Sequence, residues 1–514
     1  MHLAARLVVL CSVVCASFAV AASFSSCRAG GALDPGEDLT TLEGCTALDG
    51  GLSYARDWYV NPTGSDSWAG TAAQPFRTIT RALSAVSAGE RILVAAGTYA
   101  ERVRITGAGV RAGTATAPVR LQGVGMPKIV PPATGSGTLL AIEKPYWQVD
   151  GFEVDVQGKA FYAAHFAGTV TGSVLSHSHL HHGTSGAGVS THYACVGATI
   201  EDNEIHHFQR PGDDSHGVVV QPGSKQITIR RNVIHDNSGD SIQCLGPEGG
   251  ISTEPPADGV TIESNTMYQD REQAVDIKTC YNVTIRRNVM RDYLAALPGA
   301  CALVVHMSAS EVTVEDNDIY NVGKAIAIGG NHVGPVPYHV VVKRNRIRNV
   351  VRGSQMDGIG IRIENSDRAR VFNNTFAGIG YAAIMAGGGE QGSTTDLMIK
   401  DNLISTGNTT AYAVYLGAYM TGLLSRYNLV APGTLFSALN SSGSRQTLTL
   451  SGWQSLTGQD IPSRQADPQL NPDTLVPGPA AIDWGEVVGL PYCGAGPDLG
   501  AVETGCLTAM TTPP

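Results

Sequence analysis

Short runs in which every second residue is apolar recur along most of the chain. Val275-Asp-Ile277 and Val283-Thr-Ile285 are two of them, both inside the segment Ala274–Asn288. Apolar residues at every second position have the period of a strand with one buried face. Near-copies of the second run, each closing on asparagine, stand at Ile227–Asn232, Val260–Asn265, Val312–Asn317 and Val340–Asn345. Setting the register on that residue gives Asn203, Asn232, Asn265, Asn288, Asn317, Asn345, Asn374, Asn402 and Asn428, at intervals of 29, 33, 23, 29, 28, 29, 28 and 26 residues. Ser178 takes the same place in a first, degenerate copy. Self-similarity at such a period means an array of one repeated unit.

Each unit holds three short strands and no sustained helical period. A short strand cannot bury its own apolar face, but coils stacked about 4.8 Å apart bury a continuous one. The expected fold is therefore all-β, a single-stranded right-handed parallel β-helix. Propeller blades need roughly 40–50 residues and horseshoe repeats a leucine frame, and neither fits. The asparagines are expected to form a ladder, each side chain bonding the backbone of a neighbouring coil. Alternation points the residue two before each asparagine outward. That column reads Glu201, Arg230, Glu263, Arg286, Glu315, Lys343, a cross-strand pairing device of alternating sign.

Read in order, residues 1–22 have the form of a secretory signal, with Arg6, an apolar core from Leu7 to Val20 and the small-residue site Ala19-Val-Ala21. Export to the medium or cell surface is expected, with no membrane span. A lipid anchor at Cys27 is disfavoured by the preceding Phe24-Ser-Ser. Residues 23–55 form a cysteine-containing segment, 56–130 an N-terminal cap and first coils, 131–435 the repeats and 436–514 a C-terminal cap. Ile79, Ala82, Leu83 and Val86 have helical spacing before Gly89, which suits a short helix covering the open end of the stack. Of the ten cysteines, Cys27 with Cys45 and Cys493 with Cys506 are near enough to clip the ends, while Cys195, Cys244, Cys280 and Cys301 fall in the coils. A formal charge of −10 argues against nucleic acid or anionic membranes as partners, and a monomer is expected.

Ten of the fourteen histidines lie between His165 and His235. Three residues after successive repeat markers stand His181, His206, His235, Tyr268, Arg291, Tyr320 and Arg348; one residue further stand His182, His207 and Asp236. Such a column is either outward stacking of flat side chains, a surface for sugars, or a holder for a transition metal.

The string Tyr59-Val-Asn-Pro-Thr-Gly-Ser-Asp66, followed by Gly70-Thr, Pro75-Phe-Arg-Thr-Ile79 and Gly97-Thr-Tyr-Ala-Glu101, resembles the opening of secreted bacterial right-handed β-helix proteins of the pectate-lyase-like superfamily. The tail Pro479–Asp483 with Asp498–Glu503 resembles their closing segment. Many such proteins are polysaccharide lyases, and the resemblance implies that substrate lies on the first strand of each coil with ligands from the preceding turns. Here that strand carries Asp276 and Lys278, both outward, and the turns carry Asp213, Asp214, Asp236, Asp240, Asp270 and Glu272. The constellation is similar to that of polysaccharide lyase family 9, which binds calcium with aspartates from successive coils and uses a lysine base. By that resemblance Asp213, Asp214, Asp236 and Asp240 are the candidate calcium ligands, although position 237 is Asn where a further aspartate is expected. Lys278 and Asp276 are the candidate catalytic pair, and His216, Gln243 and His306 the candidate substrate contacts.

The implied reaction is β-elimination from a uronate polysaccharide, calcium neutralising the carboxylate while Lys278 removes the C5 proton. An ordinary lysine, near pKa ~10.4, must fall by about three units for this, roughly 4 kcal/mol. A neighbouring carboxylate such as Asp276 works the other way, so this scheme needs the cation. Two other readings stand beside it. One is a glycoside hydrolase using paired carboxylates drawn from Asp240, Asp276 and Glu364. The other is a non-catalytic cell-surface scaffold, whose turn aspartates serve turn geometry alone.

Overall fold

The alternating runs pair in register, coil on coil. The computed structural model describes residues 53–506 apart from 193, 247–253, 295–300, 331–334, 355 and 389–391. The signal segment, Cys27 and Cys45 lie outside the described residues. Three sheets of fourteen strands each hold almost all of the described strands. A representative turn of the chain runs Ile242–Cys244 in sheet II, Asp258–Glu263 in sheet I, then Thr266–Tyr268 in sheet III, before Val275–Ile277 returns to sheet II. Neighbouring coils pair in parallel, so Ile229, Ile262, Ile285, Val314 and Val342 stand directly above one another. All five are fully buried. Each such side chain contributes roughly 1.5–3 kcal/mol of transfer free energy, and none of its strands would bury it alone.

The asparagines form the expected ladder at the corner between sheets I and III. The Oδ1 of each accepts the backbone N–H of the previous marker, from Ser178 to Asn203 at 3.0 Å through to Asn402 and Asn428 at 2.9 Å. Ser178 starts the run, with its hydroxyl taking the Phe152 N–H, and Ser463 ends it on the Asn428 N–H. The residue before each marker is left-handed (Arg231 at φ 55°, Arg287 at φ 55°, Asp316 at φ 57°). This single residue sharpens the corner that the asparagine then secures. The outward charges pair as expected: Arg230 with Glu201 at 2.5 Å, Arg286 with Glu263 at 2.7 Å and Lys343 with Glu315 at 3.0 Å. Half-exposed pairs of this kind contribute well under about 1 kcal/mol each.

Helix α1, Ile79–Ala85, is capped by the Thr78 hydroxyl and buries Ile79, Ala82 and Leu83 against the first strands. At the other end α2, Leu450–Thr457, buries Trp453 on Phe436, ring centroids 5.0 Å apart. Cys493 pairs with Cys506, and in the coils Cys244 pairs with Cys280, while Cys195 and Cys301 are buried thiols. No helix among the described residues is long and apolar enough to cross a membrane.

Candidate active site

On sheet II the outward position of successive coils reads Val219, Gln243, Asp276 and Val304. Outward positions are ordinarily wet, yet Gln243 and Asp276 are almost wholly buried. A buried polar side chain must find partners, and these two find each other. Gln243 Nε2 donates to Asp240 Oδ2 at 3.1 Å and to Asp276 Oδ2 at 3.4 Å. His306 Nε2 lies 2.8 Å from the other Asp276 oxygen. On the far side the Asp240 N–H donates to His216 Nδ1 at 2.9 Å, and the Gln273 N–H donates to Asp240 Oδ1 at 3.0 Å. His216, Asp240, Gln243, Asp276 and His306 therefore form one continuous polar chain over four coils. Burial pushes the Asp240 carboxyl above the usual carboxylate range, and the nearby Asp276 adds to it.

Lys278 leaves the same strand as Asp276, one alternation further on, and its N–H donates to the Cys244 carbonyl. Strand pairing of Ile277 with Val305 sets Lys278 level with His306 on the next coil. The Cys244–Cys280 disulfide ties the two coils together around that lysine.

Beside this row, the turns entering sheet II enclose an open groove of about 560 Å³ lined by Arg210, Asp236, Asp270, Glu272, Tyr293 and their neighbours. Asp270 is buried in its wall, accepting from the Asn237 N–H and side-chain amide, from Tyr293 Oη at 2.8 Å and from Ser241 Oγ. Tyr293 and Ser241 carry no periodic signal in the sequence that would mark them as partners of Asp270. Burial raises Asp270 to about 6, and burial followed by the charges of Asp240 and Asp214 raises Glu272 to about 7.

The four acids expected to share a cation go separate ways. Asp213 pairs with Arg210 at 2.8 Å, Asp214 with Arg271, and Asp236 with His235 at 2.7 Å, while Asp240 is fully buried in the polar chain. Calcium takes six to eight oxygens around one point; a donor set divided among two guanidiniums, an imidazole and a buried amide contact does not fit it. Among the described residues, the groups whose ligand atoms converge within 4.8 Å are Asp155 with His181 and His182, and His179 with Glu204 and His206. The third acid considered for hydrolysis, Glu364, pairs with Arg362 and stands three coils from Asp276, roughly 14 Å along the stack.

The family described as right handed beta helix region matches residues 154–336 and, overlapping, 246–402. The first stretch carries every residue of the site from His216 to His306, and the second those from Asp270 onward. The chain has the right-handed parallel β-helix fold. No curated protein matches it. The PL6 family alginate lyase AlyGC superposes with a TM-score of 0.53 at 15% identity, over 82% of this chain and 55% of that one, so this β-helix protein spans about half the length of that lyase. The alginate lyase AlyF-OU02 gives 0.52 at 14% identity over 77% of this chain and 87% of its own. Pectate lyase Pel9A gives 0.41 at 17% identity over 88% and 97%. The likeness to the two alginate lyases speaks for the fold alone.

The groove acids of this β-helix protein give a signed pH dependence. The folded state raises Asp270 above its ordinary value of 3.8, so it holds a proton that the unfolded chain has already lost. Stability from this group is present below about pH 4 and is lost as pH rises through about 6, by at most about 3 kcal/mol. Asp270→Asn keeps the side-chain shape without the charge. Urea unfolding at a series of pH values is expected to show a flatter decline between pH ~4 and ~6 for the variant than for the parent. Parallel curves would mean that the carboxyl is solvated.

Proposed function

We propose that this β-helix protein is a carbohydrate-directed enzyme, a polysaccharide lyase that cleaves an acidic, uronate-containing polysaccharide by β-elimination on the outward face of sheet II. The observation that carries the reading is the grouping of Asp276, held between Gln243 and His306, with Lys278 level with that histidine. Elimination needs a cation to offset the uronate carboxylate, a base for the C5 proton and a proton for the departing oxygen. With the Nε2 proton placed on the Asp276 side, Nδ1 of His306 is the nitrogen left to act as the base, since imidazole suits proton removal near neutral pH. Lys278, expected as the base, takes the neutralising part. A lysine ammonium is ordinarily charged near neutral pH, and the turn acids do not fit the calcium cage that the lysine-base scheme needs. The C5 proton passes to His306, the C4–O4 bond breaks as the C4–C5 double bond forms, and O4 takes a proton from water. The adjoining groove offers room for flanking sugars, with Gln243 holding Asp276 from behind and His216 holding Asp240.

A hydrolase is favoured by one observation: the Gln243 amide touches Asp240 at 3.1 Å and Asp276 at 3.4 Å, so the two nearest carboxylate oxygens are no farther apart than the sum of those contacts, compatible with the roughly 5 Å spacing of retaining glycosidases. Burial of Asp240 counts against it, because an acid must reach the glycosidic oxygen. One assay separates the two. The protein is incubated with polymers of galacturonate, of mannuronate and guluronate, and of glucuronate, with and without chelator. Lyase action gives ultraviolet absorbance from unsaturated uronate ends that persists in chelator. Reducing sugar released without that absorbance favours hydrolysis, and no release from any polymer leaves the scaffold reading.

A further inference from the structure

The histidine column lies on sheet III, away from the row just described. Its strands Glu153–Asp155, His179–His181, Glu204–His206 and Val233–His235 pair so that Asp155, His181, His206 and His235 stack as one outward file. His206 and His235 stack with centroids 4.9 Å apart, and His235 stacks on Tyr268 at 4.6 Å. Stacking alone would leave the ring nitrogens facing water. Instead, the residue after each of the three histidines is left-handed: His182 at φ 60°, His207 at φ 56° and Asp236 at φ 55°. Consecutive side chains in a strand point to opposite faces; the left-handed residue brings them back together. His181 Nδ1 thereby meets His182 Nδ1, His206 Nδ1 lies 2.5 Å from His207 Nδ1, and His235 Nδ1 lies 2.7 Å from Asp236.

The group at the first of these pairs is complete as a ligand set. The ligand atoms of Asp155, His181 and His182 lie within 4.8 Å of one another. The other nitrogen of His181 is held by Glu153 Oε1 at 3.1 Å. A carboxylate behind a ligating imidazole is the usual outer support of a metal site, fixing the ring and its tautomer. His181 is buried while His182 is exposed, so the donors sit on a rigid wall with one side open to solvent.

We propose that Asp155, His181 and His182 bind a divalent transition ion of the zinc class, which ties the coil of Asp155 to the coil of the two histidines. Two imidazole nitrogens and one carboxylate oxygen suit zinc with water in the fourth place. Calcium and magnesium, which prefer oxygen donors throughout, do not suit it. The site is independent of the polysaccharide reaction and stands whether or not that reaction occurs.

The test is calorimetric titration of the chelator-washed full chain with Zn²⁺ alone, beside thermal unfolding with and without the ion. One equivalent is expected to bind and to raise the unfolding temperature, with Ca²⁺ doing neither. His182→Gln and Asp155→Asn are each expected to weaken Zn²⁺ at least about tenfold and to abolish the thermal shift. The exposed position of His182 makes that variant safe for folding, and equal unfolding temperatures of variant and parent in chelator verify it. Absence of Zn²⁺ binding, or undiminished binding by both variants, would overturn the assignment. Loss in His179→Gln alone would do so too, by placing the ion in the neighbouring His179–Glu204–His206 group.

Discussion

Asn288→Ala is expected to destabilise the fold by roughly 3–6 kcal/mol, since it strands several buried polar groups at about 1–3 kcal/mol each. The Asn288 side chain takes the backbone N–H of Asn265 at 2.9 Å and its side-chain amide at 3.0 Å. It also donates to the Ile262 carbonyl at 2.9 Å and to Asn317 Oδ1 at 3.0 Å. Alanine removes all four while the backbone groups they served stay buried between coils. The loss sits in mid-stack, where no water can replace it, and a serine of the Ser178 kind would restore the acceptor but not both donated bonds. Denaturant unfolding checks this against Glu263→Gln, an outward ladder residue expected to cost under about 1 kcal/mol. Equal effects of the two substitutions would mean that the ladder adds nothing beyond a surface pair.

His306→Gln is expected to lower kcat on the uronate substrate by roughly 10²- to 10⁴-fold, the usual contribution of a positioned general base. Glutamine can still donate to Asp276 Oδ1, so the polar chain persists and the base alone is lost. Asp276→Asn leaves His306 present but removes the carboxylate that orients it, and a smaller fall in kcat is expected. Lys278→Ala removes the cation facing the substrate carboxylate and is expected to raise KM as well as lower kcat. This pattern distinguishes the three roles. A merely structural part for His306 would instead lower the unfolding temperature and leave the turnover of the folded fraction intact.

How much of this was legible in the sequence follows from what each residue's place depends on. The coil was legible because period two and one asparagine per repeat fix both the buried face and the level in the stack. The ladder's lower end was not, because Ser463 reaches Asn428 across a helix inserted between them. Asp276 and Lys278 could be placed on one outward face from alternation alone. The turn acids could not be placed, since spacing gives the level of a turn residue and not its direction. Arg271 reaches Asp214 across 57 positions of sequence, and nothing in either turn announces that pairing. The histidine pairs were countable as a column, but their convergence rests on left-handed torsions at His182 and His207, which are uncommon outside glycine and which spacing does not reveal. Burial of Gln243 and Asp240 is likewise a property of the assembled coils rather than of their own strands.

The most direct test of the central claim is the mass of the products formed in water enriched in heavy oxygen. Elimination predicts new ends that are lighter by one water than the hydrolytic ends and carry no heavy oxygen, and these products should be lost in His306→Gln. Products bearing the heavy label at the cleaved bond would contradict the lyase account and place the chemistry with the carboxyl pair.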